Sequence, residues 1–123
     1  MPVVEAWKLV VLQRYAKFDG RSGRAEYWWF FLANIIIATV LFLLSGVASV
    51  FFVLYVVYGF AMIVPSIAVG IRRLHDTNKT GWLLLLTLIP LVGGIILIVL
   101  FAIAGDEGAN KYGAGPDPAT IGP

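Results

Sequence analysis

Between two long apolar runs lies the stretch RRLHDTNKTGW, Arg72 to Trp82, with the chain's one histidine and three of its nine basic residues. These residue types can do three kinds of work. Arginine forks grip phosphate through paired hydrogen bonds, so Arg72 and Arg73 suit a lipid headgroup or another phosphoanion. A histidine exchanges protons near neutral pH, so His75 beside Asp76 raises the idea of an acid–base dyad. Basic residues at the end of a membrane span also act as a plain anchor at the cytoplasmic face. The anchor is the leading reading, because topology alone demands positive charge here. The dyad is the weakest. Adjacent residues on a helix do not face one another, and neither a nucleophile nor an orienting partner can be named for His75. No catalytic residue is therefore assigned. If the preceding helix runs on to Asp76, Arg72 and Asp76 stand four residues apart and can pair.

Other chemistries find little support. The chain has no cysteine, which removes disulfides, thiol nucleophiles and cysteine metal sites. One histidine and scattered carboxylates do not supply the three or four ligands of a metal centre, so no metal and no cofactor is expected. Asn78-Lys79-Thr80 matches a glycosylation sequon, but so short a pattern arises often by chance. The basic residues are few and explained by topology, so nucleic acid is not an expected partner.

The elements that position these residues follow from composition. The 123 residues are 60% hydrophobic and 13% charged, whereas soluble domains carry about 25% charged residues. Small soluble folds bury only about two thirds of their surface, so lipid must be the solvent for most of this chain. From Trp28 to Val69 there is no charged residue. Those roughly 42 residues would make about 63 Å of helix, twice the hydrocarbon thickness of about 30 Å. The run must turn back, and Ser45-Gly46 is the best break. The expected fold is all-α and integral to the membrane, a single domain with spans near 28–44, 47–69 and 82–104. A cytoplasmic hinge, 70–81, and an irregular tail, 105–123, complete it. Residues 1–26 precede the spans. Trp7, Val11, Tyr15 and Phe18 recur there at helical spacing, with Leu9 and Leu12 off the stripe. An interfacial amphipathic helix and a solvated helix packed on its own protein both fit. Ser22 is a candidate N-cap for the first span.

Three spans would put the N-terminal segment and hinge on one side, with Lys8, Arg14, Lys17, Arg21, Arg24, Arg72, Arg73 and Lys79, and leave only Lys111 on the other. That bias makes the first side cytoplasmic. A re-entrant break at Pro90 to Gly94 is the second reading, and it would return the tail to the cytoplasmic face. No expected span contains an ionisable side chain, which argues against a pump or coupled transporter. Asn34, costly to leave unpaired in lipid, should bond another helix, and Ser45/Ser49 and Ser66/Gly70 would let helices approach closely.

Three stretches together resemble one family: FDGRSGRAEYWWF (18–30), PSIAVGIRRLHDTNKTGW (65–82) with Ile89-Pro90 beyond it, and GANKYGAGPDP (108–118). They look like the domain of unknown function 805 family of small bacterial inner-membrane proteins, over about residues 14–118. Asn78-Lys79-Thr80 and Lys111 are its small departures from the recurring pattern. The resemblance implies placement in the bacterial inner membrane and brings no activity, substrate or cofactor. It also sets Arg21, Arg24, Glu26, Arg72, Arg73, His75 and Asp76 among recurring positions. We expect these two charged segments to pack together, Glu26 pairing with Arg72 or Arg73, and Asp76 with Arg21 or Arg24. The expected role is a non-enzymatic scaffold or interaction subunit, with a homo-oligomer or another membrane protein as partner. The alternative is binding or processing of anionic lipid headgroups by the same arginines.

Overall fold

The uncharged stretch folds as its length requires: helix, tight turn, helix. The computed structural model describes residues 3–106 and 108–116. Helix α1 spans Val3–Lys8 and passes into a π-helical turn, Leu9–Gln13; α2 is Arg24–Leu44, α3 Ser49–Ala61, α4 Ile63–Asp76 and α5 Val92–Ala102. All regular elements among the described residues are helical. The 21-residue α2 and the continuous 28-residue α3–α4, Ser49–Asp76, are long and apolar enough to cross a membrane. The break falls where Ser45-Gly46 suggests, with Gly46 N–H donating to Leu43 O and Val47 N–H to Leu44 O.

Two boundaries differ from expectation. Helix α2 begins at Arg24, and α4 runs through Gly70 to Asp76, so half of the expected hinge is helix and only residues 77–80 form the turn. Within the second long helix Pro65 cannot donate to the Ala61 carbonyl four residues earlier. The helix steps at Met62, and the Tyr15 hydroxyl donates to that carbonyl at 2.7 Å.

Residues 82–104, expected as a third span, do not form one helix. Gly81–Leu88 is a 3₁₀-helix capped by the Thr80 hydroxyl on Trp82 N–H, and the chain then reverses before α5. Leu91 sits at φ 64°, ψ −62°, and Val92 N–H donates to Pro90 O at 2.7 Å, the geometry of a γ-turn. Gly93 makes the reversal sterically feasible: a Cβ there would lie 1.6 Å from Leu86 O. Both ends of the hairpin consequently lie against the C-terminal part of α4. Gly81 meets Ile71, while Phe101 O accepts from Arg73 Nε.

The N-terminal segment packs on its own protein, across α2 and the α3–α4 junction. Val10 joins Phe30, Met62 and Val69 in one buried cluster, and Trp7 Nε1 donates to the Tyr58 hydroxyl. That hydroxyl in turn donates to Asn34 Oδ1, so Asn34 bonds another helix as expected. The helical stripe is only partly right. Ala6, Leu9 and Val10 are buried, whereas Tyr15 and Phe18 are exposed. The π turn, closed by Arg14 N–H on Leu9 O, holds more residues per turn than an α-helix and rotates the later side chains off the 3.6-residue register.

Candidate functional site

The charged residues meet at the C-terminal end of α4, in a buried clasp with two anionic centres. Glu26, in the first turn of α2, accepts from Arg72 Nη1 through Oε2 and from Arg14 Nη1 at 2.8 Å through Oε1. Asp76 accepts from Arg21 Nε at 2.8 Å and from Arg73 Nη1 at 3.1 Å. Arg21, Arg72 and Arg73 have no exposed surface, and Glu26 and Asp76 have almost none. Burying charge is costly unless it is paired and hydrogen-bonded, and here the remaining guanidinium donors mostly find backbone carbonyls. Arg72 donates to Lys17 O and to the Ser22 hydroxyl. Arg73 donates to Phe101 O and Ile103 O. Arg21 donates to Asp106 O, Gly108 O and Gly113 O. Among the described residues, Arg72 Nη2 alone of the buried side-chain nitrogens and oxygens has no partner.

The tail is thus part of the site. It is irregular, as expected, but it folds over the clasp. Asp106 N–H donates to Asp76 O, and Asn110 Nδ2 donates to His75 O. Gly105 passes so close that a Cβ would lie 1.9 Å from Asp76 Oδ2. The Tyr112 ring stacks on His75 at 3.9 Å and 3°. Residues 117 and 118, which close the third resembling stretch, lie outside the described residues.

Each expected site residue can now be placed. The Glu26–Arg72 and Asp76–Arg21 pairs form as the charges suggest. The Arg72–Asp76 pair does not. Arg73, three residues from Asp76, takes that place, because Arg72 points to Glu26. Arg24 stands outside the clasp, exposed, with one long bond of 3.4 Å to Ala102 O. Ser22 does not cap α2: Gly23 holds the N-cap position, and the serine oxygen serves Arg72 instead. His75 Nδ1 lies 3.0 Å from Gly20 O; a carbonyl only accepts, so that nitrogen carries the hydrogen. With one ring face on Tyr112 and Asp76 turned to the arginines, His75 and Asp76 form no relay.

Sequence reasoning missed Arg14 and the tail carbonyls. Arg14 looked like one more interfacial cation; the π turn is what swings it inward. The carbonyls have no residue-type signature; only the structure shows that Gly105 admits the close approach to Asp76.

Comparison with known proteins gives the same placement in families. The inner membrane protein YhaH of Escherichia coli K12 is 44% identical over 117 residues, covering 91% of this chain and 95% of that protein. The inner membrane protein YhaI of the same organism is 38% identical over 111 residues, covering 89% and 94%. No solved structure matches. The model of the family described as "Protein of unknown function (DUF805)" matches residues 15–114, a range that takes in the residues of the clasp from Arg21 to Gly113, and the chain belongs to that family.

Proposed function

We propose that this chain is a non-enzymatic interaction subunit of the bacterial inner membrane, built as two crossing helices and one re-entrant hairpin, with its N-terminus, the 77–80 turn and the tail in the cytoplasm. The observation that carries the non-enzymatic part is the near-saturation of the clasp, in which Arg72 Nη2 alone among the described residues' buried side-chain nitrogens and oxygens is left without a partner. Its arginines and carboxylates are buried and spend their donors and acceptors on one another and on the chain's own carbonyls. A network of that kind fixes how segments dock rather than presenting a reactive group. The placement rests on the relatives' names and on the one-sided distribution of Lys and Arg.

The interaction role is supported at the opposite end. Helix α3 buries none of its residues, so the α2–α3 hairpin leaves the structure with little lateral cover. Small side chains let membrane helices approach closely, and Gly59 on α3 has nothing within 4 Å of where a Cβ would stand. A photoactivatable benzophenone side chain placed in turn at Val53, Val56, Val57 and Phe60 tests this in native membranes. Protein adducts confined to one stripe of α3 are the expected outcome. Lipid adducts alone, at every position, would remove the interaction role.

A further inference from the structure

Arg24 is exposed and stands outside the clasp, and its surroundings say what it serves. On α2, Arg24 and Tyr27 are three residues apart and share a face. The Tyr27 ring packs 4.5 Å from Phe101, next to the Ala102 carbonyl that Arg24 touches. From there two apolar troughs open between α2, α4 and the hairpin, of about 470 and about 410 Å³. Tyr27 and Ser66 line both. The hydroxyls of Tyr27 and Ser66 have no hydrogen-bond partner among the described residues. Hydroxyls in an apolar medium lose free energy unless an acceptor is supplied, and the acceptors available one turn below the phosphate level of a bilayer are lipid ester carbonyls. Tyr27 lies three residues after Arg24, about 4.5 Å deeper along α2, which is the order in which a lipid presents phosphate and then ester.

We propose that this face holds one glycerophospholipid, its phosphate on Arg24, its ester carbonyls on the Tyr27 and Ser66 hydroxyls, and an acyl chain in the trough floored by Gly70, Leu84 and Leu97. The arrangement goes beyond the interaction role: it makes a particular lipid a resident component of the fold. Charge complementarity selects the occupant, since the trough is lined mostly by apolar side chains and the exposed Arg24 stands beside its Phe101 edge. A guanidinium fork matches phosphate in shape and charge.

The test is native mass spectrometry of the full chain purified in mild detergent and titrated with palmitoyl-oleoyl phosphatidylglycerol. One lipid adduct that survives collisional heating is expected. Arg24→Gln should weaken it about tenfold, equal to about 1.4 kcal/mol, and Arg24→Gln with Tyr27→Phe and Ser66→Ala should abolish it. These changes leave the clasp pairs intact, and an unchanged thermal transition in detergent verifies the fold. Equal adducts on the native chain and the triple variant would overturn the proposal. So would equal retention of the matching diacylglycerol, which lacks phosphate, or a second copy of the chain filling the trough.

Discussion

Asp76 binds two guanidiniums through its carboxylate and the tail through its carbonyl, so three segments depend on one residue. Asp76→Asn keeps the shape and removes the charge. It leaves Arg21 and Arg73 buried without their counter-ion, and breaking a buried pair from one side costs about 3–5 kcal/mol. The thermal midpoint of the purified variant in detergent should fall accordingly, and limited proteolysis should cut within residues 103–116 sooner than in the native chain. A conservative change at exposed Arg24 should alter neither. The pairing partners were legible because opposite charges that share a membrane face have few other ways to be satisfied. The exact forks were not. Which of Arg72 and Arg73 reaches Asp76 depends on the rotation of α4, and Arg14 enters only because five residues before it wind as a π turn.

The element that departs most from its expected form is the hairpin of residues 81–102. Hydropathy cannot separate a span from a re-entrant pair, since both need an unbroken apolar run. The distinguishing marks are local: Pro90 removes a backbone donor, and Gly93 permits contact with Leu86 O. Gly94, its neighbour, faces open space. Adjacent glycines should therefore respond in opposite ways. Gly93→Val forces the hairpin apart, and overpacking of that kind costs about 1–3 kcal/mol or more. Gly94→Ala should be neutral or stabilising by up to about 1 kcal/mol, the propensity difference in a helix interior. Thermal transitions of the two variants, measured side by side, check this. The first two long helices needed no such detail. Their number and the Ser45-Gly46 break follow from the spacing of charge and the thickness of a bilayer, although α2 starts earlier and α4 runs further than the uncharged stretch.

At the scale of the whole molecule, the three family stretches are far apart in sequence and converge on one clasp. That convergence fixes the tail beside the end of α4, through Asp106, Gly108, Asn110 and Gly113. Eight of the nine Lys and Arg residues, all but Lys8 on α1, then belong to one end of the structure, and the turn at the opposite end, residues 45–48, carries no charge. A chain with three full spans would put the tail across the membrane from the clasp and break every one of these contacts. Paired reporters fused after residue 123 decide between the two arrangements most directly. With the clasp formed in the cytoplasm, a green fluorescent protein fusion glows and an alkaline phosphatase fusion stays inactive; an active phosphatase fusion with a dark fluorescent one would contradict it.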